Sequence, residues 1–475
     1  MPELLLAIDA GTTTARVCLF SLDGELVARA SASVRSASPA PGRVEQDAGA
    51  IWTSVRRLMR AALGQAGREP ADVAAIGITT QRTSLVAWDR KTGKPLGPMV
   101  VWSDLRGTER ARELMAKGYA IAPQQAAAKL EALIAAVPDA KALAAAGRLA
   151  VGNIDAFLVF KLSGGVHATD RSQAWPMGYL DLASMGWNRA LLEMQGIDEA
   201  LLPRLVDTWG AGTTTRAAFG AQVPIAAIIA DQQSALIGHG AEAAGAVKIT
   251  YGTSATLDAG TGGGFVFAGM STPPFVVSHV AGETRFCLEG MVFSAGSAVD
   301  WVRNTLRLGD HARFEALAAS VADAGGVTFL PALHGLGAPH GDPARRAALS
   351  GLSGATGAAE IARAALEGVA FRVREILDHI TGATELPAPS VLKADGGLAA
   401  SDTLLQIQAD ITGLPVARHA LRDAAACGAA IGAGRGVGVL ADVAAFTRHD
   451  RVFEPRIGAD EANARHEAWR AQVHH

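Results

Sequence analysis

Cysteine is scarce. Cys18, Cys287 and Cys427 are the three in 475 residues. They are odd in number, far apart and set in apolar segments. That pattern excludes a disulfide framework and a zinc site, and it suits buried thiols in a reducing compartment. No run reaches the roughly 18 apolar residues that a membrane span needs. The apolar run at Leu4–Ile8 is too short and lacks the basic flank of a signal peptide, so a cytoplasmic protein is expected. Charge of one sign is lacking as well. A formal net charge of −3 offers no electrostatic case for nucleic acid or an anionic membrane. Three motifs are missing: the Gly-Lys-Ser/Thr phosphate loop, G-x-G-x-x-G, and H-E-x-x-H. The closing His474-His475 carries no weight.

What is present is a large globular chain, 49% hydrophobic and 19% charged, long enough for more than one domain. Near its start, Leu4-Leu5-Leu6-Ala7-Ile8 ends in Asp9. Ala10, Gly11 and the triplet Thr12-Thr13-Thr14 follow, then a second apolar run to Phe20. This spacing predicts a strand, a tight turn and an antiparallel strand. Gly11 lets backbone approach a ligand. The amides of Gly11 to Thr14 can converge on an anion, the hydroxyls add donors, and Asp9 is placed to hold magnesium through water. Arg16 adds a positive charge. A plain hairpin with a Thr-rich turn has the same letters.

Further on, Glu25–Ser33 reads as a third strand. Asp47 is a good N-cap for a helix with apolar Ile51, Trp52, Val55, Leu58, Met59 and Ala62 at helical spacing. Strands are expected at Val73–Thr79, Ser84–Trp88, Met99–Trp102 and Pro224–Ala230, and interrupted helices between Gly107 and Gly147. Then the grammar repeats. Ala246–Tyr251 is a strand, Gly252-Thr253-Ser254 a turn, and Ala255–Ala259 a strand. Further strands are expected at Phe275–Val280, Thr284–Leu288 and Val391–Ala394. Helices are expected at about Ala295–Leu306, Ala358–Ile380 and Ser401–Thr412. Two series with one opening predict a duplicated α/β fold with phosphates between the two Gly-Thr turns.

Ten stretches now stand in order: Ile8–Thr13, Gly42–Asp47, Ile76–Arg82, Thr92–Pro95, Val101-Trp102, Asp231–Leu236, Tyr251–Thr253, Leu288–Gly290, Gly335–Pro339 and Asp395–Gly397. With the signature across Ala347–Glu367, they make the chain resemble the FGGY family of carbohydrate kinases, its glycerol kinase branch in particular. The resemblance is collinear over nearly the whole length. It implies two actin-like (ribonuclease H-like) ATPase domains of α/β class with an interdomain cleft. Residues 1–243 would bind substrate and phosphate, and residues 244–475 would bind nucleotide. It also implies ATP and Mg2+, a small polyol or sugar as substrate, and a homodimer or homotetramer.

By residues alone, Asp231 is either a carboxylate at the sheet's C-terminal edge, where α/β folds place ligands, or a helix N-cap. The resemblance makes it the base that takes the hydroxyl proton during phosphoryl transfer, with Gln232 beside it on substrate hydroxyls. It assigns Thr12, Thr13, Thr14, Arg16 and Thr253 to the triphosphate and Asp9 to magnesium. Gly296 and Gly397 (after Gly396) would contact nucleotide. Asp300 and Ser401 stand where glycerol kinases carry Gln and Asn near the nucleotide.

Arg82 and Trp102 match substrate-pocket positions, though a buried Trp is also ordinary core. Thr83, Gln124 and Thr256 depart from the branch, replacing Glu, Tyr and Phe. The eroded first signature around Gln124–Ala132 keeps Lys129. The expected activity is ATP-dependent phosphorylation of a terminal hydroxyl by in-line transfer. The alternatives are a glycerol kinase proper, a non-catalytic sugar sensor on the same fold, and an actin- or chaperone-like ATPase.

Overall fold

The Leu4–Ala10 strand has all seven residues buried. Burial on both faces demands an almost unbroken apolar run, and the sequence supplies one. The computed structural model describes residues 2–216, 218–440 and 442–473, so the His474-His475 pair lies outside the described residues. Leu4–Ala10 pairs antiparallel with Thr14–Ser21, and Asp9 faces Arg16. Thr14–Ser21 pairs antiparallel with Leu26–Ser33. On the other side, Val73–Thr80 lies parallel to the first strand and Pro224–Ala230 parallel to that. Trp209–Thr214 closes the edge antiparallel.

A parallel neighbour needs a crossover. Helix Ala48–Ala66 lies in the first one, between Leu26–Ser33 and Val73–Thr80. Asp47 caps it, accepting the Ala50 amide at 3.0 Å. The six apolar positions expected at helical spacing are all buried.

The second sheet repeats this order. Val247–Tyr251 pairs antiparallel with Ala255–Gly262, and that strand with Glu283–Val292. Leu392–Asp395 runs parallel to Val247–Tyr251 and Val416–His419 parallel to it in turn. His449–Phe453 closes the edge antiparallel. Six strands of the seven-stranded second sheet thus follow the order of the six-stranded first, as a duplicated α/β fold requires. Helix Ala358–Ala383 runs 26 residues. All three cysteines are buried. No helix among the described residues is long and apolar enough to cross a membrane.

The chain forms two compact units. One comprises Met1–Gly238, Val276–Thr284 and Ala425–Phe446; the other comprises His239–Phe275, Arg285–Ala424 and Thr447–His475. The first unit therefore takes back a late segment. Helix Ala424–Gly436 was not foreseen. It is buried all round, at Ala424, Ala426, Cys427, Ala429, Ala430, Ile431 and Ala433, so it carries no amphipathic stripe.

Within the first unit this helix lies very close to the sheet. A Cβ on Gly77 would stand 2.0 Å from the Ala429 carbonyl oxygen, and one on Gly428 would stand 1.7 Å from that of Ser234. The Ser234 hydroxyl donates to the Ala425 carbonyl at 2.6 Å. Gly77→Ala is expected to push sheet and helix apart and cost about 1–3 kcal/mol, the usual price of overpacking. A chemical-denaturation midpoint equal to wild type would show that the contact yields without strain.

Candidate active site

Two parallel strands of the first unit end side by side. Thr80 and Ala230 are register partners, so Gln81-Arg82 and Asp231 emerge together at the C-terminal edge of the sheet. Of the two readings of Asp231, the structure shows the sheet-edge position; the residue is the first member of the helix rather than the N-cap before it. It opens helix Asp231–Gly238, and its Oδ1 accepts the Gln232 amide at 2.8 Å. The same oxygen lies 3.7 Å from Arg82 Nε. Each of the two side chains keeps some exposure, 13% for Arg82 and 27% for Asp231.

The Gly11–Thr14 turn differs from expectation in one respect. The Gly11 amide does not point to a ligand, because it closes the turn on the Thr14 carbonyl at 3.1 Å. What the turn offers is its hydroxyls and the amides that follow. Thr13 is exposed and Thr14 half-buried.

Thr12 is woven into a polar network. Its hydroxyl donates to Gln81 Oε1 at 3.2 Å and accepts the Trp102 indole N–H at 3.0 Å. Gln46 Nε2 donates to the Thr12 carbonyl at 2.7 Å, and Gln81 Nε2 donates to Gln46 Oε1 at 2.9 Å. Ser84 Oγ donates to Gln81 Oε1 at 3.0 Å. Asp9 is buried and paired with Arg16 Nη1 at 2.8 Å across the register. Trp102 is 37% exposed, so it is not core.

Thr83 is buried with φ at +50°, an unusual conformation for a β-branched residue. Such strain persists only where surroundings over-determine the backbone, and Lys129 is part of those surroundings. Fully buried, it donates from Nζ to the carbonyls of Val101 at 3.1 Å, Trp102 at 3.2 Å and Thr83 at 3.5 Å. Burial pushes its ammonium down to about 7, Asp104 pulls it back up, and Arg106 lowers it further. Gln124 is exposed in the turn before helix Ala126–Ala135.

The remaining candidates lie in the second unit. Thr253 is exposed at its turn, and its carbonyl accepts the amides of Ala295 and Ser297. Gly296 opens helix Gly296–Thr305; a Cβ there would meet the Gly252 carbonyl oxygen at 2.5 Å. Gly396 has φ +93°, and a Cβ on it would stand 2.4 Å from the Tyr251 carbonyl oxygen. A Cβ on Gly397 would meet nothing within 4 Å, which is room for a ligand.

Ser401 is engaged locally. It caps helix Asp402–Thr412 through the Leu404 amide at 3.0 Å and donates to Glu315 at 2.5 Å. Asp300 pairs with Arg303 at 3.0 Å and His311 at 3.4 Å. Thr256 is buried within its strand, opposite Thr250 and Met291.

The donor set suits magnesium. Asp9 and the turn hydroxyls are hard oxygen donors, and magnesium takes one or two carboxylates with water and phosphates completing its shell. Among the described residues no three His, Cys, Asp or Glu form a metal-holding group, and a magnesium held in this way needs none.

Comparison over the whole length decides the family. The model described as "FGGY family of carbohydrate kinases, N-terminal domain" matches residues 4–238, and its C-terminal counterpart matches residues 247–437. The chain belongs to the FGGY family of carbohydrate kinases.

A glycerol kinase of Thermus brockianus is 41% identical, covering 99% of this chain and 98% of that protein. One of Aromatoleum aromaticum is 40% identical, covering 99% and 98%. The crystal structure of Plasmodium falciparum glycerol kinase with ADP matches with a TM-score of 0.91 at 27% identity, covering 99% of this chain and 97% of that one. The fold is the two-domain actin-like fold of these kinases. The FGGY chain is an ATP-dependent polyol or sugar kinase, a phosphotransferase acting on an alcohol group, with Mg2+ as the usual kinase cofactor.

The network residues Gln46, Gln81 and Ser84 were not singled out as site residues, although Gln46 and Gln81 lie in the stretches that carry the resemblance. Their signal was present; their mutual contacts were not. Lys129 makes a testable mark on stability. Its proton is disfavoured in the folded state, where its pKa is about 7 against about 10.4 when free. The folding penalty is full below pH 7 and fades as pH rises toward 10.4. Wild type is therefore expected to gain stability over that window relative to Lys129→Met. Parallel stability–pH curves for the two proteins would place the lysine in a wet, unperturbed setting.

Proposed function

We propose that Asp231 is the general base of this kinase and that Arg82 orients the acceptor beside it. The observation that carries this reading is the 3.7 Å approach of Arg82 to Asp231 at two adjoining strand ends. A kinase acting on an alcohol needs a carboxylate to accept the hydroxyl proton as the phosphoryl group moves. Asp231 is partly exposed and so reachable, with the Arg82 guanidinium beside it. Gln232, at the next position, is assigned to the acceptor's other hydroxyls. Asp231→Asn is expected to lower kcat by about 10² to 10⁴, the usual worth of general base catalysis, with ATP binding close to wild type. Turnover above a tenth of wild type on the true acceptor would remove Asp231 from this role.

Thr12, Thr13, Thr14 and Arg16 are proposed to bind phosphate, with Asp9 toward magnesium. Thr253, Gly296, Gly397, Asp300 and Ser401 are proposed for the nucleotide, Ser401 with its hydroxyl already committed as a cap. Thr253→Val removes a donor to a charged group, worth about 1.5–3 kcal/mol, and Thr12→Val removes another provided that nucleotide draws the Thr12 proton away from Gln81 Oε1. Calorimetry with a non-hydrolysable ATP analogue is expected to show that loss. Unchanged affinity in both variants would count against phosphate binding at these turns.

For the acceptor, we propose a polyol, ketose or sugar acid of four to six carbons. Thr83 replaces a glutamate of the glycerol kinase branch, losing a carboxylate and about two carbons of reach at a loop where its carbonyl accepts from Lys129 Nζ at 3.5 Å. Trp102, exposed and fixed by its indole hydrogen bond, is assigned as a platform for the longer chain. Gln124 is kept as an outer contact. Thr256, buried in its strand in the second unit, is kept only as a candidate position. The second reading is glycerol itself, favoured by relatives up to 41% identical that are glycerol kinases. A screen of polyols, ketoses and sugar acids separates the two. The best longer acceptor is expected to exceed glycerol in kcat/KM by at least about tenfold, or about 1.4 kcal/mol in transition-state binding. Glycerol at the head of that screen would establish the second reading. Family resemblance further supports a cytoplasmic homodimer or homotetramer.

A further inference from the structure

Asp170, Ser172 and Gln173 stand behind the two strand ends and carry none of the roles assigned above. Asp170 closes the short strand Ala168–Asp170 and caps the four-residue helix Arg171–Ala174. Its side chain is fully buried, and four donors meet it. They are the Ser172 amide at 3.0 Å, Ser172 Oγ at 2.9 Å, the Gln173 amide at 3.0 Å and Thr208 Oγ1 at 2.8 Å. Burial pushes the carboxyl up to about 6 and these donors hold it back. Such a group is costly to bury unless its partners are fixed, so the cluster has little freedom to move.

From it, two arms reach the site. Ser172 Oγ, whose proton is given to Asp170, accepts the Ala230 amide at 2.8 Å. Ala230 is the residue before Asp231. Gln173 Nε2 donates to the Thr80 carbonyl at 3.2 Å and to Thr80 Oγ1 at 2.9 Å. Thr80 is two residues before Arg82. The Gln173 carbonyl is itself held by Asn153 Nδ2 at 3.2 Å.

We propose that the Asp170–Ser172–Gln173 cluster is a positioning device for phosphoryl transfer, setting the spacing of Asp231 and Arg82 without touching the acceptor. This rests on the assignment of Asp231 as base and Arg82 as acceptor ligand. Both side chains leave the sheet where its ladder stops, so neighbouring strands no longer fix them. Misplacement by about 1 Å can cost about 10²-fold in rate. The Ser172 arm governs the base, and the Gln173 arm governs the arginine.

The test compares Ser172→Ala, Ser172→Thr, Gln173→Met and Asp231→Asn in the full chain, by steady-state kinetics on the best acceptor, calorimetry with an ATP analogue, and thermal melting. Ser172→Ala is expected to lower kcat at least about tenfold with acceptor KM little changed, and Ser172→Thr to restore most of it. Gln173→Met is expected to raise acceptor KM about tenfold with a smaller effect on kcat. ATP-analogue affinity is expected to stay within about twofold of wild type in both.

A lower melting temperature with wild-type kcat and KM would reduce the cluster to a structural role and overturn the proposal. Should Ser172→Ala fail to fold, Ser172→Cys keeps the volume with a weaker acceptor and faces the same kcat criterion. An inactive Asp231→Asn beside a wild-type Ser172→Ala overturns this proposal alone. An active Asp231→Asn overturns the base assignment and the proposal with it.

Discussion

Thr80 and Ala230 are partners across two parallel strands, and the convergence of chemistry on one edge follows from that pairing. Side chains alternate faces along a strand, so a slip of one residue would turn the ends away from each other. Asp231 would then start its helix on a different heading, and Arg82 would lose its approach to it. Pro224–Ala230 and Val73–Thr80 are buried along nearly all their length, and their pairing carries a register shift between Ile225 and Ala227 before it settles on Thr80 and Ala230.

The chain spends its buried polar groups where these strands end. Gln46, Gln81 and Ser84 tie the Thr12 turn to the loop after Val73–Thr80. Lys129 ties Thr83 to Val101 and Trp102. Asp170 ties Ser172 and Gln173 to Ala230 and Thr80. Each cluster would be a liability if half satisfied. Satisfied, they hold loops that have no ladder of their own. A site for an alcohol and a nucleotide needs that fixity, because positioning is most of what a phosphoryl-transfer enzyme contributes.

The second unit shows the same economy with different residues. Its Gly-Thr turn is clasped by backbone. Thr253 accepts from Ala295 and Ser297, and Gly296 and Gly396 allow approaches that a Cβ would block. Beneath it, Thr250 Oγ1 donates to Asp395 at 2.6 Å, linking the strand before this turn to the strand before Gly396. Six strands of each sheet share one order, while the polar supports use different residues.

The sequence by itself determined whatever depends on neighbours along the chain. Gly11 and the Thr triplet marked the first turn, Asp47 the cap of Ala48–Ala66, and apolar periodicity the strands that open each half. The ten ordered stretches carried the family. Only the tertiary structure decided what depends on residues far apart. Gln173 and Thr80 are 93 positions apart and Ser172 and Ala230 are 58 apart, and nothing in a local window announces such bonds. Helix Ala424–Gly436 belongs to the first unit, nearly two hundred residues after that unit's main segment ends, and its all-round burial erased the periodicity that would have shown a face. The Gly11 amide, a plausible ligand donor by its letters, was taken by the Thr14 carbonyl. The left-handed Thr83 is the clearest instance. Its conformation opposes its own preference, so only the surrounding contacts could have set it.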